Sequence, residues 1–351
     1  MKTTRTAGSA LTVALAAATA WAPAGLDAQT ETVRLEGDRV AVWNLAGRVQ
    51  VVPGDGPDVV VRVDRGGDDG SRLELATGEM DGRASLRVVY PSDRVVYDGG
   101  DFSGNVSVRV RDDGTFDGGG GDRVRVSSSG RGLEAWADLR IEVPAGRDVE
   151  VYLAAGRMEA SDVRGDLRLD TGSGPVDVRG LTGRTVVDTG SGSVTAREVE
   201  GDLDVDTGSG SVHLEDVRAE RVVVDTGSGD VTGSGIAAAQ VVVDTGSGRV
   251  EVTGLASGDV RIDTGSGAVE VELLRDVDRL QVDTGSGGVT VWLTEAVGAE
   301  LELDSGSGGI ELDFPVEVRT MERDHVEGRI GDGRGLIEID TGSGAIRLRR
   351  R

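Results

Sequence analysis

The chain has 351 residues, a formal net charge of −24 at pH 7 and no cysteine. A protein this acidic does not bind nucleic acid by neutralising phosphates, and it cannot be held together by disulfides. Aromatic residues are only 3% of the chain, whereas glycine occurs 56 times, so we expect a core of stacked aliphatic side chains.

The N-terminal segment, residues 1–28, has the features of a signal peptide. Lys2 and Arg5 precede an alanine-rich apolar run, and small residues at Ala24 and Ala28 offer cleavage sites. The run is too short for a convincing membrane anchor. We therefore predict an exported protein, periplasmic or secreted and cell-envelope associated, with no integral membrane segment after cleavage. Cleavage is expected after Ala28, with Ala24 as the alternative.

Residues 29–150 alternate apolar and polar side chains in short runs, which is typical of strands. Such runs occupy residues 59–63, 86–88, 106–110, 124–126 and 139–143, separated by glycine-rich connectors. Trp43 stands where a later repeat has its aspartate. We predict an irregular β region that leads into the repeat and caps its N-terminal end.

A pentapeptide repeat dominates residues 151–351. The sequence DTGSG, once DSGSG, recurs mostly every 18–21 residues, and a period near 20 indicates one structural unit stacked on itself. The repeat begins at Asp170, Asp188, Asp206, Asp225, Asp244, Asp263, Asp283, Asp304 and Asp340.

The repeats have aliphatic residues one and three positions before the aspartate, with Thr185 as the exception, and again six and eight positions after it, with Ala196 and Gly233 as small variants. Such alternation predicts two half-buried strands joined by glycine-rich turns. A single unit cannot bury its apolar side, but units stacked about 4.8 Å apart can. The sequence predicts an all-β parallel single-stranded β-helix, or β-solenoid, right-handed by default, with about 18–21 residues per coil. An antiparallel hairpin array, the alternative, would need tighter turns and a shorter period.

Three details of the repeat are expected near its C-terminal end. Leu274 should be an inward anchor, eleven residues after its aspartate. One degenerate coil should fill the gap between Asp304 and Asp340, with Val316, Val318 and Thr320 in the strand and residues 321–328 as an insertion. The arginine-rich strand at 347–351 should be the terminal strand and discourage end-to-end stacking.

The aspartates should form a column of carboxylates along one side of the coil. One interpretation is structural: each carboxylate accepts hydrogen bonds from its own turn, the glycines supply positive φ, and the serines form a hydroxyl ladder. The alternative is calcium bound between coils, because calcium prefers carboxylate and carbonyl oxygens. The candidate calcium ligands are Asp188, Asp206, Asp225, Asp244, Asp263 and Asp283.

A second outward row lies seven residues after each aspartate. Its members are Asp177, Thr195, His213, Thr232, Glu251, Glu270 and Thr290, and we predict that they form a binding face. No catalytic set can be assembled from the sequence. The tripeptide Asp-Thr-Gly also occurs in aspartic proteases, but their chemistry needs a facing pair of carboxylates and not a column.

The signal peptide, the motif VPAG-x-x-V-x-V at 143–151 and the DTGSG coils together resemble a known family. It is the bacterial putative-adhesin family of β-strand-repeat envelope proteins, a domain of unknown function, and the likeness covers residues 33–348. The resemblance implies a β-helix in the cell envelope, without catalytic residues to carry over.

The sequence therefore predicts a non-enzymatic, exported, adhesin-like β-solenoid that presents a repetitive face to an envelope component, a polysaccharide or a protein, without a required cofactor. One alternative is a calcium-dependent structural or envelope-stress component. A second alternative is a polysaccharide-active β-helix enzyme, which would need clustered acids beside an arginine, flanked by a long loop.

Overall fold

The computed structural model describes residues 30–100, 102–116, 118–294 and 297–351. The predicted signal segment at 1–28 lies outside these residues. The described chain is all-β, as predicted, and its one helical element is a single 3₁₀ turn at Gly70–Arg72. The first eleven strands are β1 (Glu31–Leu35), β2 (Arg39–Ala46), β3 (Val49–Pro53), β4 (Val59–Gly66), β5 (Glu74–Met80), β6 (Arg83–Val89), β7 (Arg94–Val96), β8 (Asn105–Val110), β9 (Asp122–Ser127), β10 (Leu133–Glu134) and β11 (Trp136–Val143).

The remaining strands cover the repeat. They are β12 (Arg147–Ala155), β13 (Met158–Ser161), β14 (Gly165–Ser173), β15 (Val176–Arg179), β16 (Thr185–Thr189), β17 (Val194–Glu200), β18 (Leu203–Thr207), β19 (Val212–Thr226), β20 (Val231–Ser234), β21 (Ala237–Thr245), β22 (Val250–Thr264), β23 (Val269–Leu273), β24 (Arg279–Thr284), β25 (Val289–Leu293), β26 (Ala299–Asp304), β27 (Ile310–Leu312), β28 (Glu317–Met321), β29 (His325–Ile330), β30 (Gly335–Thr341) and β31 (Ile346–Arg350).

Successive repeats stack in parallel, with equivalent residues paired. Asp188 pairs with Asp206, Asp206 with Asp225 and Asp225 with Asp244, and the second strands pair in the same way. The inward aliphatics form the continuous core: Val205, Val224 and Val212 are 0% exposed, and their equivalents are at most 3% exposed except for Ile310 in the outermost repeat, which is half-buried. We call one repeat, with its two strands and the turn between them, a rung. Each rung buries its apolar side against the rungs above and below it, which gives a solenoid-like coil.

The N-terminal region joins the same sheet. Trp43 on β2 pairs with Tyr152 on β12, and Tyr152 pairs with Asp170. Trp43 thus occupies the aspartate position, as predicted. The strands predicted at 59–63, 86–88, 106–110, 124–126 and 139–143 all form. Because β2 and β3 pair with the repeat strands β12 and β13, the sheet runs on across residue 150; the domain division made there stays a prediction.

The N-terminal end of the core is covered. Further strands extend it beyond the coil: β4 lies antiparallel between β1 and β11, and β6 pairs parallel with β2 and antiparallel with β5. A small second sheet, in the order β10-β7-β9-β8, adds Val95, Val126 and Leu133 to the same apolar core.

The C-terminal coil is not last in the stack, contrary to expectation. Asp283 pairs with Asp340, and Asp340 pairs on its other side with Asp304. The chain passes over one rung position, forms β26 and β27, and returns to fill the vacant position with β30 and β31. The arginine-rich strand β31 therefore lies between β25 and β27 and is not terminal.

The predicted degenerate coil between Asp304 and Asp340 is also wrong. Residues 317–330 form an antiparallel hairpin of β28 and β29, and β29 pairs antiparallel with β26. Val318 is 46% exposed instead of buried. The hairpin reverses the chain direction, and the chain can then return to place β30 between β24 and β26. Leu274 is likewise not an anchor: it is 41% exposed, and Leu273 is buried in its place.

Candidate binding faces

One side of the coil carries the aspartate column. Its order is Asp170, Asp188, Asp206, Asp225, Asp244, Asp263, Asp283, Asp340 and Asp304. We call this side the acidic face. It includes all six predicted calcium ligands, one per rung.

Burial and repulsion between neighbouring carboxylates raise the pKa of aspartates on the acidic face. Partial burial, and then the neighbouring carboxylates Asp263 and Asp225, raise the pKa of Asp244. Burial and the neighbours Asp188 and Asp204 raise the pKa of Asp206 in the same way. Two carboxylates about 4.8 Å apart repel by about 0.9 kcal/mol in water, so the column costs stability when it is ionised.

Arginines offset part of this repulsion at two places. The Arg168 guanidinium lies 3.5 Å from Asp170 and 3.4 Å from Asp188, and Arg261 lies 3.8 Å from Asp263. Within the described ranges, no group of three or more Asp, Glu or His side chains is arranged to hold a metal ion. Calcium binding by the column stays a prediction.

The turn is closed by threonine and not, as the sequence suggested, by aspartate. In the rung of Asp206, Thr207 accepts a hydrogen bond from the Gly210 amide at 3.0 Å and donates one to the Gly192 carbonyl of the preceding rung at 3.2 Å. The same pair of bonds recurs at Thr226, Thr245, Thr264, Thr284 and Thr341. Each of these six threonines therefore closes its own turn and bonds its rung to a neighbour. The carboxylates are left on the surface.

The glycines of the regular turns are needed for space and not for positive φ. Gly210 lies outside the left-handed region, but a Cβ there would overlap the carbonyl oxygen of Gly192 in the preceding rung. One step of the predicted serine ladder is present: the Ser191 hydroxyl donates to the Ser173 hydroxyl at 3.2 Å.

The second outward row forms as predicted in position. All seven candidate binding residues pair in register, one per rung: Asp177, Thr195, His213, Thr232, Glu251, Glu270 and Thr290. We call this side the mixed face. The row ends with Arg347 and Glu311, next to Thr290.

The mixed face is polar, and much of its charge is paired. Arg157 lies 2.6 Å from Asp177, Arg197 lies 3.1 Å from Glu215, and the His213 ring lies 2.9 Å from the Thr232 hydroxyl. A neighbouring row adds Trp292, whose indole N–H donates to Glu270 at 2.9 Å. The sequence reasoning did not single out Trp292, although its alternation with the inward Val291 and Leu293 already placed it outward.

A cleft of about 400 Å³ lies where the acidic face meets the C-terminal hairpin. Its lining includes Glu302 and Glu327, which pair across β26 and β29. Glu338 flanks Glu302 on the other side. Arg319 also lines the cleft and bonds Glu300 at 2.6 Å. The sequence could not find this site, because it depends on the unexpected return of the chain.

Aromatic side chains replace the aspartates at the N-terminal end of the acidic face. Trp43 and Tyr152 stack with ring centroids 5.1 Å apart and planes at 6°, and Phe116 packs against them. The carboxylate column begins at the next rung, Asp170.

No helix within the described part of the chain is long and apolar enough to cross a membrane. Comparison with known families matches residues 137–349, more than half of the chain, to the model of the Toastrack DUF4097 family. No curated protein matches the chain.

Two solved structures are similar at low identity. A putative cell adhesion protein from Clostridium sporogenes aligns over 93% of this chain and 100% of its own, at 11% identity and a TM-score of 0.22. A putative adhesin from Bacteroides fragilis aligns over 93% and 98%, at 9% identity and a TM-score of 0.40. Similarity at this level does not identify a function.

Proposed function

The chain belongs to the Toastrack DUF4097 family, and on that premise we propose that it is a non-enzymatic, exported, adhesin-like β-solenoid. The mixed face would bind an envelope component or an extracellular partner, either a polysaccharide or a protein. The family resemblance predicted from the sequence, to a domain of unknown function, is confirmed at that level.

The observation that carries this proposal is the contrast between the two faces. The acidic face presents one unneutralised carboxylate after another, for example Asp206, Asp225 and Asp244. The mixed face presents Thr195, His213 and Thr232 in adjacent rungs, and its like charges in neighbouring rungs are limited to the pair Glu251 and Glu270. An anionic envelope repels the acidic face, whereas the mixed face can approach the envelope closely and form hydrogen bonds with it.

The finer features of this proposal are a right-handed single-stranded coil and export by the segment at 1–28. Right-handed crossover is the general preference of parallel strands. N-terminal sequencing of the protein recovered from its source tests export: an intact Met1 contradicts it, and a new terminus between residues 25 and 29 supports it.

Co-sedimentation of the purified protein with isolated cell envelopes tests the binding face. The wild-type protein should pellet saturably, and a variant with Thr195→Glu, Thr232→Glu and Thr290→Glu should pellet at least tenfold more weakly. The matched control carries Asp206→Asn, Asp225→Asn and Asp244→Asn on the acidic face and should bind at least as well as the wild type. Equal loss in both variants, or no loss in the first, would overturn the assignment of the face.

The same assay in EDTA distinguishes the calcium-dependent structural alternative. Under that alternative, the melting temperature falls in EDTA without any partner present. Under our proposal, calcium removal leaves both melting and pelleting unchanged.

One observation favours a second candidate, a polysaccharide-active enzyme. The cleft combines Glu302 and Glu327 with Arg319 beside a long hairpin, and paired carboxylates are the groups that hydrolyse glycosidic bonds. Release of reducing ends from envelope polysaccharides, lost in Glu302→Gln, would establish this candidate in place of the binding function.

A further inference from the structure

The far end of the mixed face has an open strand edge. β27 pairs with β31 on one side, and no described strand pairs with its other side. The Ile346 amide donates to the Gly309 carbonyl at 3.0 Å, and the Asp313 amide donates to the Leu348 carbonyl at 3.0 Å. Because hydrogen-bonding direction alternates along a strand, the backbone groups of Ile310 and Leu312 point to the open edge.

The aliphatic side chains of this edge are uncovered. Ile310 and Leu312 are only half-buried, whereas their equivalents Ile346 and Leu348 in the next rung are 0% and 1% exposed. Met321, on the adjoining hairpin, is 65% exposed. The N-terminal end differs, because antiparallel strands and the small sheet keep its core residues buried.

Charge indicates what would fit this edge. Glu311 and Asp313 alternate with the aliphatics, and β31 meets them from the paired side with Arg349, at 2.5 Å and 3.0 Å. β31 itself alternates aliphatic and arginine residues, so it shows which strand chemistry β27 accepts. A second copy of the chain would instead place its own Glu311 and Asp313 against these carboxylates, and like charges on paired strands are destabilising.

We propose that β27 is an edge-pairing site for an extended segment of a partner protein in which aliphatic residues alternate with arginine or lysine. The segment would continue the sheet by one strand, its backbone bonding to Ile310 and Leu312 and its aliphatic side chains covering theirs. This is the β-augmentation mode of peptide recognition. The site uses other residues than the mixed-face row predicted from the sequence, and it does not depend on that proposal.

Two synthetic peptides test the site on the full wild-type chain. The first is AIRLRRR, the sequence of the chain's own residues 345–351; the second, RRRRAIL, has the same composition and charge but no alternation. Because the protein is acidic, both peptides are attracted to it, and only the first can form the paired strand. We expect at least tenfold tighter binding of the first peptide.

Hydrogen exchange locates the bound peptide without any substitution. The amides of Ile310 and Leu312 should gain protection with AIRLRRR, while those of the opposite edge strand β5 should not change. Equal affinity of the two peptides, or no gain at these two amides, overturns the proposal. Loss of protection within β31 also overturns it, since the peptide would then be replacing the chain's own strand.

Two matched variants complete the test. Leu312→Lys should abolish the difference between the peptides, because it removes an aliphatic contact and adds a like charge. Leu274→Lys, at an exposed leucine away from this edge, should retain the difference. A sedimentation-equilibrium dimer that AIRLRRR dissociates would assign the edge to a second copy and overturn the proposal.

Discussion

Thr341 donates its hydroxyl to the carbonyl oxygen of Gly287 at 2.9 Å, across 54 residues of sequence. The same bond joins Thr284 to Gly267 across 17 residues. The last coil is thus latched to the rung of Asp283 as if it followed directly in the chain. The rung of Asp304, which precedes it in sequence, is stacked outside it.

This order predicts that the rung of Asp340 holds the rung of Asp304 in place. β30 lies between β24 and β26, and β31 lies between β25 and β27. A chain ending at Arg334 lacks β30 and β31, so β26 and β27 lose their connection to the rest of the stack. We expect hydrogen-exchange protection to vanish throughout residues 299–330 but to remain in residues 203–264.

The control removes only Arg350 and Arg351, and it should keep the protection of residues 299–304. Retained protection of residues 299–304 in the chain ending at Arg334 would contradict this prediction, because β26 would then be held without β30.

The threonine latch predicts unequal effects of the same substitution in two rungs. Thr245→Val preserves shape but leaves the Gly248 amide and the Gly229 carbonyl without their buried partner, and should lower the free energy of unfolding by about 1–3 kcal/mol. Among the described atoms the Thr189 hydroxyl is buried without a partner, so Thr189→Val should be neutral or stabilising. Urea denaturation of both variants measures the difference; equal costs would contradict the latch.

The close approach of the rungs predicts that the second turn glycine cannot be replaced. A Cβ at Gly229 would overlap the Gly210 carbonyl oxygen, so Gly229→Ala should cost about 1–3 kcal/mol through forced displacement of the rung. At Gly288 the nearest atom to a new Cβ is 3.4 Å away, and the neighbouring rung has Ala345 there. Gly288→Ala should change stability by less than about 0.5 kcal/mol. Thermal melting compares the two, and a tolerated Gly229→Ala would argue for a looser stack.

The aspartate column predicts that replacing one of its aspartates with a neutral residue stabilises the protein, and that this stabilisation depends on pH. The pKa of Asp244 is raised by burial and by its neighbours, so the folded protein binds protons more readily than the unfolded chain near the usual carboxyl range, about 3.9. The free energy of unfolding therefore falls as the pH rises through that range. Asp244→Asn should raise the melting temperature at pH 7 by an amount worth less than about 1 kcal/mol, because salt and solvent screen the repulsion.

That gain should disappear at pH 3, where the wild-type carboxyl is already protonated. The matched control is Asp177→Asn on the mixed face, which removes the partner of Arg157 at 2.6 Å and should give no gain at pH 7. A gain at pH 7 that persists unchanged at pH 3 would show that repulsion is not its cause.

The sequence by itself determined the rung. Inward valines such as Val205 and Val212 alternate with outward residues over short runs, and this local pattern already specifies both strands, both faces and the row from Asp177 to Thr290. Trp43 could be assigned to the aspartate position for the same reason. The closing of the turn by Thr207 instead of Asp206 was missed, because both side chains can accept a hydrogen bond from an amide and only their inward or outward direction decides between them.

Only the tertiary structure decided the order of the rungs. The strand before Asp283 matches the strands before Asp304 and Asp340 almost equally well in apolar pattern, so local pairing energy does not select a neighbour. The choice falls to residues 317–330, whose antiparallel hairpin pairs with β26 of the outermost rung and turns the chain back. That reversal creates the cleft at Glu302 and the open edge at β27. Both arise from long-range pairing that no periodicity in the sequence encodes.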